Sequence, residues 1–158
     1  MLVGSFSSNF YGTPRSTQDV DLVISLKPAQ SIQHVIDNLG SEFELLPQMS
    51  FELFTATKKH ELSVRNSAFR IELFHLSNDA HDQERFQRRQ EVQVFDQSVW
   101  LPTPEDVVIT KLRWLRPKDE EDVRNVLAAQ AERLDWSYIQ HWCQQHETTT
   151  ALQRLRNA

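Results

Sequence analysis

The chain has 158 residues, of which 39% are hydrophobic and 25% are charged, and its formal net charge is −5. This length predicts a single domain with its own hydrophobic core, and the acidic balance argues against a general polyanion-binding surface. No apolar run approaches the roughly 20 residues that cross a bilayer, no signal peptide is evident, and the single cysteine, Cys143, excludes an internal disulfide. We therefore expect a cytoplasmic protein that does not engage membranes.

Residues 1–11 predict a strand that runs directly into a helix. Met1-Leu2-Val3 forms the short apolar strand, and the helix opens at Ser5. A glycine at such a turn, here Gly4, lets the backbone approach a ligand closely, while the helix N-terminus presents free N–H groups to a phosphate. The hydroxyl group of Ser5 can cap the helix or contact that phosphate. Taken alone, a Gly-Ser pair is a weak signal.

Two acidic residues lie on one face of the next predicted strand, residues 19–24. Asp19 and Asp21 are two positions apart, so their side chains share a face and their Cα atoms lie about 6–7 Å apart. Carboxylates at this spacing can bind one or two divalent cations that also bind substrate phosphates. Without a cation they would repel each other. The preceding loop adds Thr17 and Arg15, and Arg15 either contacts a triphosphate or is a solvated loop residue.

The spacing of these residues carries a family resemblance. Val3-Gly4-Ser5, a spacer of 13 residues and Asp19-Val20-Asp21-Leu22 resemble the signature of the nucleotidyltransferase superfamily related to DNA polymerase beta. More closely, the stretch from residue 4 to residue 23 looks like a group of small bacterial nucleotidyltransferase-like proteins akin to AbiEii-type toxin enzymes. The resemblance is strong over residues 3–24 and looser over residues 69–127. It implies a nucleoside triphosphate substrate and Mg²⁺ or Mn²⁺ as the cofactor.

The middle of the chain predicts an amphipathic helix and a β-hairpin. Apolar residues recur at helical spacing over residues 28–39, so we expect a helix whose apolar stripe is buried in the core. Further along, two alternating runs, residues 62–64 and 69–74, flank the polar pair Asn66-Ser67. This arrangement indicates two strands joined by a hairpin turn.

Glu72 is the third candidate metal ligand. It lies in the second strand of the predicted hairpin, and a carboxylate on a strand next to Asp19 and Asp21 would complete a metal site. The resemblance places the third acid of the family at this position, although aspartate is the commoner residue there in relatives. The other interpretation pairs Glu72 with a nearby arginine on a partly exposed sheet face.

A clear helix start at Thr103 introduces a further candidate. Thr103 is the expected N-cap, Pro104 occupies the first helical position and Asp106 completes a capping box. Lys111 falls within the apolar stripe of this helix, where an unpaired ammonium group would be costly. It needs the site carboxylates, a substrate phosphate or a structural salt bridge as its partner. The resemblance implies an active-site lysine in this segment, and we expect Asp122 on the following helix to face it.

Two other clusters of polar residues are less favoured as functional sites. Residues 78–90 predict a charged helix whose arginines can contact phosphate, but the favoured interpretation is a solvated face with intrahelical ion pairs. The arginines are Arg85, Arg88 and Arg89. Near the end of the chain, His141 and Cys143 do not share a helix face, so these residues and His146 are not interpreted as a zinc motif.

Together these elements predict an α/β (α+β) fold, in which helices flank a small mixed β-sheet of the nucleotidyltransferase type and a helical segment follows. We expect residues 1–102 to form the core and residues 103–158 to form the C-terminal helical segment packed on it, within a single domain.

The predicted function is metal-dependent nucleotidyl transfer to an acceptor hydroxyl on an RNA 3′ end, a protein or a small molecule. Candidate catalytic residues are Asp19, Asp21, Glu72 and Lys111, the three acids also being the metal ligands, and candidate nucleotide-binding residues are Gly4, Ser5, Arg15, Thr17, Lys111 and Asp122. The resemblance also implies a toxin–antitoxin role with a cognate partner. The alternative is a non-catalytic nucleotide-binding or partner-binding protein of the same fold. Two departures from the family pattern favour that alternative. The third acid is Glu72, where relatives more often have aspartate, and this chain starts at the first strand, whereas relatives carry a helix before that strand.

Overall fold

The computed structural model describes residues 1–157. Its strands and helices follow one another as β1 (Leu2–Val3), α1 (Gly4–Tyr11), β2 (Asp19–Ile24), α2 (Ile32–Asp37), β3 (Phe43–Leu45), β4 (Ser50–Phe51), β5 (Lys58–Val64), β6 (Arg70–His75), α3 (Ala80–Arg88), β7 (Gln90–Val94), β8 (Gln97–Leu101), α4 (Pro104–Trp114), α5 (Pro117–Gln130), α6 (Trp136–Gln145) and α7 (Thr149–Arg156). Among these helices, none is both long and apolar enough to pass through a membrane.

A mixed six-stranded sheet holds the predicted acids. Its strand order is β1-β2-β6-β5-β3, and β4 pairs with β5. Strands β2 and β6 run parallel, whereas the other pairs of this sheet are antiparallel. The register of the parallel pair sets Asp21 directly beside Glu72. The prediction of an α/β (α+β) fold with a small mixed sheet and flanking helices is confirmed.

Residues with left-handed backbone conformations close two hairpins. Asn66 has φ of 60° in the β5–β6 turn, at the polar pair that the sequence indicated. Phe95 and Asp96, with φ of 48° and 62°, connect β7 to β8 in a separate two-stranded ribbon. Asparagine and aspartate tolerate this conformation because their short side chains bond locally. Two consecutive positive φ values match the two-residue turns that antiparallel hairpins favour.

The hydrophobic core lies among the four C-terminal helices. Val108, Ile109 and Leu112 of α4 are fully buried, and they belong to one cluster with apolar residues of α5, α6 and α7. Helix α4 begins as predicted: the hydroxyl oxygen of Thr103 accepts a hydrogen bond from the N–H of Asp106, and proline occupies the first turn. The local capping signals of α4 and the burial of its apolar residues therefore favour the same helix.

Tyr11 attaches helix α1 to this helical layer. Its hydroxyl group donates to the carbonyl oxygen of Pro102 at 2.9 Å, and its own carbonyl oxygen accepts from Nε2 of Gln130 at 2.9 Å. Burial, reinforced by the nearby Glu105 and Asp106, raises the pKa of Tyr11 to about 12, so the hydroxyl stays a donor. Because α1 starts at the end of β1, these bonds fix the β1–α1 turn relative to α4 and α5.

The prediction for helix α2 was wrong in extent and in burial. The helix spans Ile32–Asp37 instead of residues 28–39, and none of its residues is buried. Ser31 caps it by accepting a hydrogen bond from the N–H of His34 at 3.3 Å, and Leu39, beyond its end, is 39% exposed. The helix packs mainly beside the edge strand β3. Because α4 to α7 build the core, the apolar stripe of α2 is only half covered.

Two leucine-to-alanine substitutions test this division between core and surface. Leu112→Ala empties a fully buried site, so we expect the free energy of unfolding to fall by about 2–5 kcal/mol. Leu39→Ala removes the same atoms from an exposed position and is expected to change stability by about 0.5 kcal/mol or less. Urea denaturation of the two variants measures both values. Equal losses would show that the residues beside α2 belong to the core after all.

Candidate active site

The turn between β1 and α1 brings backbone against a carboxylate. Gly4 begins α1 with φ of 62°, in the left-handed region that L side chains rarely adopt. A Cβ atom at this position would overlap Oδ2 of Asp21, because the β1–β2 pairing sets Val3 opposite Asp21. The N-cap residue Val3 gives no side-chain hydrogen bond. The first N–H groups of α1 therefore lack a side-chain cap and are suited to bind an anion.

Asp21 and Glu72 form the centre of the acidic group. They are direct partners in the parallel β2–β6 register, so both side chains project from the same face of the sheet. Burial, followed by repulsion from the Glu72 carboxylate, raises the pKa of Asp21 to about 6, although Lys111 acts in the opposite direction. The positive charge near Asp21 is thus insufficient to offset its burial and the neighbouring acids.

A divalent cation fits this chemistry. Hard cations bind carboxylate oxygens. The raised pKa of Asp21 indicates too little positive charge around this carboxylate, and a bound cation would supply it. Glu72 already has one partner, since its Oε1 accepts from Nζ of Lys59 at 2.7 Å, and Asp19 is exposed at the start of β2. Within residues 1–157 these acids do not form one converged ligand set, because the group of three ligand atoms that lies within 4.8 Å is elsewhere.

Lys111 is buried in a network of charges, where the expected pairing with Asp122 is present. Its Nζ lies 2.7 Å from Oδ2 of Asp122 and 3.1 Å from Oδ1 of Asp119. Asp122 also accepts from Nε of Arg15 at 2.7 Å, and Nη2 of Arg15 donates to the hydroxyl oxygen of Ser5 at 2.9 Å. Hydrogen bonds from Arg15 and Lys111 hold the pKa of Asp122 below its usual value despite burial. The network joins α1, α4 and α5.

A cavity of about 420 Å³ connects these groups. Of the residues predicted from the sequence, Gly4, Ser5, Thr17, Asp19, Asp21, Glu72 and Lys111 line it. Arg15 and Asp122 are not among the lining residues, and they contact Ser5 and Lys111 from outside it. Arg15 is thus neither a freely solvated loop residue nor a cavity-lining one: it is tied to Asp122.

The cavity wall contains cations that the sequence did not assign to the site. They are Lys59, Arg85, Arg113, Arg116 and Lys118. Arg85 is only 7% exposed; it pairs with Asp82 at 3.0 Å and donates to Oγ1 of Thr110 at 3.0 Å. The predicted intrahelical pair is therefore present, but the prediction of a solvated face is wrong for Arg85. The burial of Arg85 depends on its tertiary contact with α4, where it meets Thr110. The sequence of α3 does not predict this burial, because both faces of the helix carry charges.

Aromatic residues border the cavity on one side. Phe54 and Trp114 meet edge to face with ring centroids 5.0 Å apart, and the guanidinium group of Arg116 lies 4.7 Å from the Trp114 ring centroid. Phe54 is 51% exposed and, like Phe51, lines the cavity. The sequence left this segment unassigned because residues 43–54 carry two short apolar runs without a clear period. The structure places these aromatic side chains beside the acidic floor.

Replacing Asp21 with asparagine removes a carboxylate whose ionisation the folded protein disfavours. Its folded pKa of about 6 exceeds the ordinary value of 3.8 for an aspartate, so the ionised group weakens folding at high pH and this cost shrinks as the pH falls toward 3.8. We expect Asp21→Asn to exceed the parent in stability by about 2–3 kcal/mol at pH 8, and by roughly half of that at pH 5. Chemical denaturation without divalent ions measures both differences.

The matched control for this experiment is Glu61→Gln. Glu61 lies beside Glu72 on β5 but pairs with Arg70 at 2.8 Å and does not line the cavity. It is expected to give no comparable gain at pH 8. A destabilised Asp21→Asn protein at pH 8 would contradict the idea that the Asp21 carboxylate lacks a counter-charge.

Comparisons with known proteins identify the family and the fold of the chain. A family model described as "Nucleotidyltransferase of unknown function (DUF6036)" matches residues 1–157. Among solved structures, the chain is similar to an antigenic nucleotidyltransferase-like protein from Paracoccidioides brasiliensis, with a TM-score of 0.56 and 18% identity, over 99% of this chain and 83% of that chain. A comparison with curated proteins finds no match. The resemblance to the nucleotidyltransferase superfamily is confirmed, and family and fold support a general nucleotidyltransferase role. The chain belongs to the family of nucleotidyltransferases of unknown function, DUF6036.

Proposed function

We propose that this protein transfers a nucleoside monophosphate from a nucleoside triphosphate to an acceptor hydroxyl group in a metal-dependent reaction. The observation that carries the proposal is the pair of Asp21 and Glu72, side by side on the cavity floor and directly beneath the Gly4 turn. An anion-binding helix terminus next to paired carboxylates is the combination that a metal–triphosphate complex requires.

Asp19, Asp21 and Glu72 are the residues that would hold Mg²⁺ or Mn²⁺. All three line the cavity, and the raised pKa of Asp21 supports a cation at this position. When bound, the metal supplies charge neutralisation at the phosphates and lowers the pKa of a coordinated oxygen. In the bound state, Glu72 would exchange its contact with Lys59 for the metal or for the proton of the acceptor hydroxyl.

The triphosphate would lie between the N-terminus of α1 and the cationic wall. The N–H groups after Gly4 and the hydroxyl of Ser5 provide donors on one side. Lys111 is held by Asp119 and Asp122, and Asp122 is linked through Arg15 to the Ser5 hydroxyl. From this position Lys111 would stabilise charge that develops as pyrophosphate leaves. Thr17 lines the same cavity. The volume of about 420 Å³ lies within the roughly 300–1,000 Å³ of typical small-ligand sites.

Arg15 and Asp122 would act as positioning residues. Asp122 accepts from both Arg15 and Lys111, and Arg15 in turn donates to Ser5. This chain of bonds holds the Ser5 hydroxyl and the Lys111 ammonium group on the same side of the cavity, so neither needs to reorganise when an anion binds. The proposal thus keeps both residues in the nucleotide site, but through the side chains that they orient.

The proposal names the acceptor only as a class of hydroxyl group and takes the biological role from the family resemblance. An RNA 3′ end, a protein hydroxyl and a small molecule all present the required hydroxyl group. A toxin–antitoxin role with a cognate partner follows only from the resemblance to AbiEii-type proteins. The competing function is nucleotide or partner binding without catalysis; the contact between Glu72 and Lys59 favours it, because it occupies one oxygen of the third acid.

Calorimetric titration of the full-length protein tests the nucleotide site. We expect each effective nucleoside triphosphate to bind in the presence of Mg²⁺ and to bind at least about tenfold more weakly without it. Asp21→Asn is expected to abolish the metal-dependent part of binding, while Glu61→Gln retains it. Circular dichroism of both variants establishes that they fold. Absence of metal-dependent binding for every triphosphate would reject the proposal.

Release of pyrophosphate separates the catalytic function from the binding function. A protein that binds metal and triphosphate but releases no pyrophosphate with any of the three acceptor classes would support the non-catalytic alternative. Glu72→Gln provides the sharper comparison, because it keeps the size of the side chain and removes the proton acceptor. In the catalytic case this variant loses product formation by about 100-fold or more while nucleotide binding changes less.

A further inference from the structure

A second group of potential metal ligands lies behind the cavity wall, outside the carboxylates of β2 and β6. Asp79, His81 and His146 each place one ligand atom so that the three atoms lie within 4.8 Å of one another. Asp79 is the N-cap of α3, His81 lies in its first turn and His146 is the C-cap of α6. Spacing along the chain does not reveal this group, because 65 positions separate His81 from His146.

His81 is oriented as a metal-binding histidine would be. Its side chain has no exposed surface, and its Nε2 lies 3.1 Å from Oδ1 of the buried Asp106. Because a carboxylate accepts hydrogen bonds, Nε2 carries the proton of that contact. Among residues 1–157, Nδ1 of His81 is buried and has no hydrogen-bond partner. A second proton there would have no acceptor, so Nδ1 presents a lone pair. A carboxylate behind one ring nitrogen and a free lone pair on the other is the arrangement found at metal-binding histidines.

His146 presents a second nitrogen without a partner. Its Nδ1 is also buried and has no hydrogen-bond partner in the described part of the chain, and its ring packs edge to face on His81 with centroids 5.3 Å apart. Trp142 covers both rings, at 5.0 Å from His81 and 5.4 Å from His146. Buried polar atoms normally have a bonding partner, and one metal ion would serve both of these neighbouring nitrogens.

Asp79 supplies an oxygen ligand beside the two nitrogens. Its Oδ1 accepts from the N–H of Asp82 at 3.1 Å and from Nη1 of Arg113 at 3.2 Å. Its Oδ2 makes a single longer contact, 3.4 Å from Nη2 of Arg113. Oδ2 thus accepts fewer hydrogen bonds than Oδ1 and has a lone pair available for a metal ion. The positive charge of Arg113 weakens cation binding here. Asp82 and Asp106 add negative charge nearby, and each also has an arginine partner, Arg85 and Arg88 respectively.

We propose that Asp79, His81 and His146 bind a divalent transition-metal ion of the zinc type, separate from the metal of the nucleotide site. Two imidazole nitrogens with one carboxylate suit Zn²⁺, whereas sites built from oxygen alone suit Mg²⁺. The ion connects the start of α3 to the end of α6. Asp82, Asp106 and Arg113, which line the cavity, contact the ligands from the other side. The metal therefore braces the wall of the nucleotide cavity.

Metal titration of the full-length protein tests this site directly. Protein freed of metal with a chelator is titrated with Co²⁺, whose visible absorption reports nitrogen and oxygen ligands, and with Zn²⁺ in equilibrium dialysis. We expect one equivalent of Zn²⁺ to bind, to displace Co²⁺ and to raise the melting temperature. His146→Gln and Asp79→Asn are each expected to lower the affinity at least about tenfold. Asparagine retains the capping function at position 79.

Two controls distinguish this site from the nucleotide site and from incidental binding. His141→Gln alters an exposed histidine of the same helix and is expected to keep full Zn²⁺ affinity. Asp21→Asn is expected to keep the Co²⁺ spectrum even though it removes a ligand of the nucleotide site. Failure to bind one equivalent, or equal affinity in His146→Gln and the parent, would overturn the proposal. Loss of the spectrum in Asp21→Asn would likewise overturn it, since the ion would then belong to the β2–β6 acids.

Discussion

The side-by-side placement of Asp21 and Glu72 is the constraint on which the rest of the structure depends. Parallel pairing of β2 with β6 sets the two carboxylates in register, and burial combined with their repulsion raises the pKa of Asp21 to about 6. This arrangement costs folding free energy. The compensating burial lies elsewhere, in the apolar cluster of α4 to α7. Tyr11 links the two parts, because it belongs to that cluster and lies at the end of the helix that starts at Gly4.

The cavity has carboxylates on its sheet floor and a wall that carries most of its cations, together with Asp82 and Asp106. The floor consists of sheet carboxylates, whereas the wall takes its cations from several elements. Several of these cations have acidic partners: Lys111 has Asp119 and Asp122, and Arg113 has Asp79. Paired in this way, the cations are held in position without an added ligand, so an anion would meet an oriented surface. The same pairing reduces their net charge, in keeping with an acidic chain.

Much of the candidate site was accessible from the sequence because its signals are local. Asp19 and Asp21 lie on one short strand and Gly4 lies at a strand-to-helix turn, while the buried position of Lys111 followed from the apolar stripe of a single helix. The wall residues were not accessible in this way. Whether Arg85 is solvated or buried depends on the element that packs over it, which no spacing within α3 reveals. The same holds for His81 and His146, which meet only because α3 and α6 converge.

The sequence by itself determined the elements and their order: the β1–α1 turn, the acidic strand, the β5–β6 hairpin and the capped start of α4. These depend on periodicity, turn residues and caps, all of which act over a few neighbouring positions. Only the tertiary structure decided which faces are covered. It left α2 on the surface, although its residues have the periodicity of a core helix. It also chose the register that joins Asp21 to Glu72, because strand pairing and burial are properties of segments distant in the chain.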